Sequence, residues 1–222
     1  MSSRDAVFSK IRRSLGVEAA DAGRRAIVIA RLNSAPRGVI PARGQLPPEE
    51  RIALFARMAE KVSASVARVA AATEFPEAVA QFLRAHNLPA ELRMGDDAWL
   101  DDMPWEWTQL SVKRGAADAN DMVGVSHALA GVAESGTLVL TSGPDNPTTV
   151  NFLPETHVVA IAAGDIVGDY ETAWDLLRTR YGKGVLPRTV NMITGPSRSA
   201  DIEQTLLLGA HGPKRLHIVI VG

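Results

Sequence analysis

The sequence predicts an α/β fold with a mostly parallel sheet flanked by helices, preceded by an N-terminal helical arm. Three observations predict it. Apolar, β-branched runs at 137–141, 158–162, 190–194 and 216–221 suit strands buried on both faces. Segments with helical spacing alternate with strand-like runs from Pro47 onward, the pattern of a parallel sheet with helical crossovers. A stretch bearing Pro36, Gly38, Pro41, Gly44, Pro47 and Pro48 separates an arm, residues 1–45, from the main domain, residues 46–222.

Each element has a local justification. Residues 3–15 are helical: Ser3 can cap the helix, Val7, Phe8, Ile11 and Leu15 form one stripe, and Gly16 is placed to end it. Lys10, Arg12 and Arg13 stand near its C-terminus, where the dipole favours cations. Asp21 starts a second helix to about Asn33, with a strand through Ile27, Val28 and Ile29 as the alternative. In the main domain, helices at 49–61 (Ile52, Phe55, Ala59) and 75–86 (Val79, Phe82, Leu83) precede strands at 66–72 and 91–94. An irregular stretch follows, with Trp99, Trp105 and Trp107 among Asp96, Asp97, Asp101, Asp102 and Glu106, and it suits either a partner surface or a lid on the core edge. Strands at 110–112 and 122–125 lead into the four apolar runs, with helices at 170–181 and 200–208 between them.

Composition bounds the function classes. A chain of 222 residues, 46% apolar and 22% charged, can bury a large core without disulfides or structural metal. It contains no cysteine, which removes thiol nucleophiles, thiolate zinc sites and cysteine-ligated iron–sulfur clusters held by this chain. No apolar run approaches the ~18 residues of a membrane span, and the first residues lead into an amphipathic segment, so a soluble, cytoplasmic protein without membrane insertion is expected. The net charge of −1 argues against a dedicated nucleic-acid binder. That total hides a split: residues 1–45 hold nine Lys/Arg against three Asp/Glu, a net +6, and the rest hold 15 against 22, a net −7. A basic arm on an acidic body can dock an acidic partner or the chain's own body, or simply stay solvated.

Three polar, glycine-bearing segments are expected at the carboxyl ends of strands, where open α/β sheets bind ligands. In Ala133-Glu134-Ser135-Gly136-Thr137, Ser135-Gly136 fits a two-residue hairpin, and Glu134 suits a general base, an acyl-accepting nucleophile or a solvated hairpin glutamate. In Gly195-Pro196-Ser197-Arg198-Ser199, a helix start plus Arg198 makes a carboxylate or phosphate site; the competing reading is a serine cap with Asp201 and Glu203 in the first turn. In Leu208-Gly209-Ala210-His211-Gly212-Pro213, His211 stands between glycines, placed to meet a ligand or to bond nearby backbone. Leu153-Pro154-Glu155-Thr156-His157 precedes a strand and so falls at the opposite end, where a turn into the strand is the simpler reading. No metal-ligand spacing, GxGxxG after the first strand, or GxxxxGK[ST] occurs, which disfavours a metalloenzyme, a nicotinamide-dependent dehydrogenase and an NTPase.

AESGTLVLTS (133–142), NFLPETHVVAI (151–161), GPSRSADIEQTLLLGAHGP (195–213) and LHIVIVG (216–222) resemble the LUD domain, and more closely the lactate utilisation protein C family. The resemblance covers about residues 45–222 and extends to the arm. It implies a fold like that of the NagB/RpiA/CoA-transferase superfamily and a role in bacterial oxidation of L-lactate to pyruvate beside two iron–sulfur partner proteins. No cofactor is then expected in this chain, and the absence of cysteine fits clusters carried by the partners. The family pattern points to Glu134, Thr137, Gly195, Ser197, Arg198, Asp201 and His211 as crevice residues. On that basis Arg198 with Ser197 recognises a small carboxylate, and Glu134 or His211 handles protons. The alternatives are an independent acyl- or CoA-handling enzyme using Glu134, and a small-molecule sensor on the same fold. AESG is similar to the glutamate-bearing turn of class I CoA-transferases but has Ser135 where they carry asparagine, and no glycine-rich CoA loop is evident. Homo-oligomerisation is left open.

Overall fold

Ser2 and Asp21 each accept a hydrogen bond from the backbone N–H three residues on, and a helix follows each. In the computed structural model, which describes residues 2–200, 206–209 and 211–222, these helices are α1 (Ser3–Leu15) and α2 (Ala22–Ser34). The cap of α1 is Ser2 and not Ser3, because Asp5 reciprocates onto the Ser2 backbone N–H and closes a capping box. Gly16, at φ +62°, ends the helix in the left-handed conformation. Ile27, Val28 and Ile29 lie within α2, so the strand alternative is not realised. The two helices form a unit of their own, Met1–Val39, and neither contains a buried residue.

The second unit, Ile40–Gly222, holds the sheets. Its first elements are α3 (Pro48–Lys61), β1 (Ser65–Val69), α4 (Phe75–Ala85), β2 (Glu91–Met94), α5 (Ala98–Asp101), β3 (Ser111–Arg114) and β4 (Val123–His127). Next come β5 (Ala130–Val132), β6 (Thr137–Thr141), α6 (Thr148–Phe152), β7 (Thr156–Ala162), β8 (Ile166–Val167) and α7 (Tyr170–Tyr181). The last are β9 (Val190–Ile193), β10 (Arg198–Ala200), β11 (Leu206–Leu208) and β12 (Arg215–Val221). Six strands in the order β1-β12-β7-β4-β2-β3 pair in parallel throughout, which gives the expected α/β architecture.

Period-2 alternation along the central strands splits the core into two faces. Val158 and Ala160 of β7, with Val219 and Val221 of β12, pack under Phe75, Val79, Phe82 and Leu83 of α4. Val159 and Ile161, with Ile218 and Ile220, pack under Ile52, Phe55 and Ala59 of α3. Both sides of these strands are therefore covered, which is why they read as unbroken apolar runs.

Three features depart from the sequence expectation. β6 and β9 are not in the parallel sheet: they belong to a second sheet, β8-β5-β6-β9, in which the β5–β6 and β6–β9 pairings are antiparallel. Leu138, Leu140 and Ile166 of this sheet share the α3 core, and Ala173 and Leu177 of α7 cover its other face. A strand buried on both sides looks the same in sequence whichever sheet holds it. Second, β5 and β6 are joined by four residues and not two, because Val132 pairs with Thr137. Third, the helix expected at 200–208 is replaced at its two ends by β10 and β11, which pair antiparallel. Ser197 donates its backbone N–H to the Pro213 carbonyl and accepts from the Gly209 N–H, so the tertiary ladder draws the flanking chain into a hairpin.

Gly136 shows how closely the hairpin turn meets α3. Its φ is +68°, and a β-carbon there would fall on the backbone of Met58 and Ala59. Gly136→Ala combines left-handed strain with overpacking against a helix that cannot retreat from the core, and is expected to cost about 3 kcal/mol. In a domain of this size that is a fall of roughly 6–12 °C in thermal midpoint, measurable by calorimetry. An unchanged midpoint would mean that the hairpin and α3 separate freely.

Candidate functional site

Among the described residues, buried polar atoms without a protein partner gather near the amino ends of β7 and β12, where His157 and Leu216 are partners in register. A cavity of about 420 Å³ opens there. Asn151 and Phe152 of α6, the β9 segment, residues 194–198 and the loop 211–213 line it. For the parallel sheet this reverses the expected end, although residues 195–198 do follow the carboxyl end of β9. The His211 loop runs into β12, so strand direction puts it at the amino edge, and the Ser197 backbone bonds bring residues 195–198 to the same edge.

Beneath the cavity, Ser126 of β4 links two buried side chains. Its hydroxyl donates to Asn151 Oδ1 at 2.7 Å and, its one proton thus committed, accepts from His157 Nε2 at 3.0 Å. That assigns the Nε2–H tautomer and leaves His157 Nδ1 a bare acceptor. Complete burial pushes the His157 pKa down to about 3, so the ring is neutral at neutral pH. His157 Nδ1, Asn151 Nδ2 and Asn191 Nδ2 are all buried without a partner among the described residues, and all three residues line the cavity. Such atoms are uncommon in folded proteins, and three around one cavity indicate groups that a bound molecule or ordered water completes.

Charge at the cavity has one sign. Among the described residues lining it, Arg198 is the permanent cation and there is no aspartate or glutamate. Arg198 Nη2 donates to the Val62 carbonyl at 2.6 Å, which steadies the guanidinium, and among the described residues its other N–H groups meet no partner. Gly195, at φ +79°, passes so near that a β-carbon would stand 2.5 Å from the Val62 oxygen; this position requires glycine. Ser197 Oγ accepts from the His211 backbone N–H at 3.3 Å, and the exposed His211 side chain stands in the lining.

The sequence candidates thus divide. Gly195, Ser197, Arg198 and His211 line one cavity. Thr137 stands one hydrogen bond behind the wall: its hydroxyl meets that of Thr194, a lining residue, at 2.7 Å, within a cluster completed by Ser135 and Tyr170. Glu134 is not among the lining residues. It is buried in the β5–β6 turn, with Oε1 3.4 Å from the Tyr170 backbone N–H and Oε2 unpartnered. Asp201 lies outside the described residues. Asn151, Asn191 and Ser126 are site residues that sequence reasoning missed. The signal for His157 was the segment 153–157, set aside because it precedes a strand; Asn151 stands two residues before it.

Known proteins place these observations. Proteins named lactate utilization protein C are similar over part of their length: that of Bacillus subtilis is 38% identical over 122 residues, covering 53% of this chain and 50% of that one. That of a Geobacillus species is 42% identical over 100 residues, covering 45% of this chain and 42% of that one. The matched stretch is about half the length of these curated relatives. A crystal structure of a DUF162 family protein from Deinococcus radiodurans has the same fold, with a TM-score of 0.60 over 80% of this chain and 99% of that one at 19% identity. The family model of the LUD domain matches residues 52–221, both sheets and the whole cavity lining included, and the chain belongs to the LUD domain family.

Proposed function

We propose that this chain is the non-redox member of a system that oxidises L-lactate to pyruvate with iron–sulfur partner proteins, and that it binds a small carboxylate in the cavity at the amino ends of β7 and β12. The name shared by its relatives supports the pathway. The observation that carries the ligand class is the lining itself: it holds Arg198 with the amides of Asn151 and Asn191, and among its described residues no carboxylate stands to repel an anion. His211, in the same lining, supplies an imidazole that can exchange a proton with the ligand. With no cysteine in the chain, cluster-based electron transfer falls to the partners.

A thermal-shift series with L-lactate, pyruvate, CoA, acetyl-CoA, ribose 5-phosphate and sulfate tests the reading. A ligand at about 100 times its Kd stabilises by about 2.7 kcal/mol, a rise of roughly 5–11 °C in a domain this size. The expected result is a rise with a hydroxy or keto acid that disappears in Arg198→Ala. A rise that survives the substitution would remove Arg198 from the site. A rise with CoA alone would replace carboxylate binding with acyl chemistry, for which the unpaired Glu134 Oε2 is the available acceptor.

A further inference from the structure

Helix α1 displays an apolar ridge that nothing in its own unit covers. Phe8, Ile11 and Leu15 recur at i, i+3 and i+7, Val7 widens the ridge, and all four are between 42% and 61% exposed. That spacing is how an amphipathic helix presents itself to a groove. Around the ridge stand Arg4, Lys10, Arg12 and Arg13, whereas the single acid of the helix, Asp5, is committed to the Ser2 cap. A thirteen-residue helix is marginal alone in water and gains its stability by burying such a face.

The second unit carries a surface of matching chemistry. Trp105 is buried and donates Nε1–H to the Leu100 carbonyl, which anchors the turn and turns its neighbour Trp107 outward, 74% exposed. Trp107 borders a groove of about 560 Å³ with Val69, Ala70 and Ala78 as apolar lining and Glu74 and Glu77 on its wall. Arg68, the cation of that lining, is held by Glu49 and by the Gly222 carbonyl. Exposed Glu106 adjoins Trp107 in the chain and adds a further acid beside it.

We propose that α1 of one molecule docks in the Trp107 groove of a second copy of this chain. Charge complementarity selects that occupant: residues 1–45 carry +6 and residues 46–222 carry −7, so each copy holds both halves of the contact. Two copies related by a two-fold axis satisfy the contact twice. Phe8, Ile11 and Leu15 fill the apolar groove, an α1 arginine lies over the Trp107 face, and the remaining cations meet Glu74 and Glu106, since Glu77 is already paired with Arg84.

Sedimentation velocity of the full chain across a concentration series tests this, with Ile11→Glu and Trp107→Glu as variants. Both residues are exposed, so an unchanged circular dichroism spectrum and thermal midpoint verify the fold of each variant. The expected result is a dimer that weakens with added salt and whose Kd rises about thirtyfold or more in either variant. An equimolar mixture of the two variants should recover part of the association, because one intact arm then meets one intact groove. A monomer at every concentration overturns the proposal, as does a dimer indifferent to Trp107→Glu. A monomer that sediments with anionic phospholipid vesicles would assign α1 to a lipid surface instead.

Discussion

Phe55→Ala should remove about 3–5 kcal/mol of stability, the largest loss we expect from a single side chain. Phe55 is fully buried on α3 and packs in the cluster that joins the two sheets, with Val159, Ile161 and Ile218 from one and Leu138 and Ile166 from the other. The site cannot collapse around a smaller residue. Gly131 of β5 already lies so near that a β-carbon on it would be 3.0 Å from the Phe55 ring, so the phenyl group rests directly on the strand backbone. Truncation therefore loses the transfer free energy of the ring and leaves a cavity walled by two sheets and a helix. Urea unfolding followed by circular dichroism, with calorimetry beside it, should show a fall of roughly 6–20 °C in midpoint. A loss below about 1 kcal/mol would show that α3 does not couple the sheets.

Between pH 7 and pH 5 the protein should lose about 4 kcal/mol of stability through two buried histidines. Burial pushes His157 down to about 3 and His217 down to about 4, the latter helped by the nearby His86. His217 is stacked on Phe82, with ring centroids 3.9 Å apart, and its Nδ1 is 2.8 Å from Ser65 Oγ. Unfolded, both imidazoles titrate near 6.5. Above that pH neither state holds the two protons, and the stability contribution is intact. As pH falls toward 4, the unfolded chain takes them up and the folded chain does not, so stability falls by up to about 1.4 kcal/mol per pH unit per histidine.

Asp97 and Asp121 act below this window. Burial works to raise Asp97 and Asp121, but hydrogen bonds outweigh it: His127 and the Leu100 N–H on Asp97, the Asp118 N–H and Arg93 on Asp121. Both are held low, and their stabilising effect is lost only below about pH 4. Denaturant midpoints taken across pH 5–7 should show the slope, and His157→Asn should remove about half of it. A slope unchanged in that variant would refute the account of His157 as a buried neutral ring.

Local signals were legible where the chain itself satisfies them. The boundaries of α1 follow from a serine and an aspartate that cap each other and from one glycine free to turn left-handed. The helix α7 matches its expected span of 170–181, with Asp169 capping the Thr172 N–H. β2 and β6 fall where alternating or β-branched residues put them. The alternation of these elements was enough to predict a parallel sheet sandwiched by helices.

The second sheet, the hairpin of β10 and β11 and the end of the sheet that holds the cavity were decided by tertiary structure. Each depends on which distant backbone completes a strand's hydrogen bonds: Ser197 with Pro213 and Gly209, or Val139 with Met192. Residue pattern specifies that a strand is buried, but not its partner or its direction. The site divides along the same line. Gly195, Ser197, Arg198 and His211 stand out because glycine, arginine and histidine in loops are conspicuous in sequence. Asn151, His157 and Asn191 acquire meaning only when folding buries their polar atoms without partners, since an amide or imidazole in sequence carries no mark of what it will face. The sequence by itself thus determined the fold class, the basic arm and the polar loops; tertiary pairing chose the amino end of the sheet and turned ordinary polar residues into the floor of a cavity.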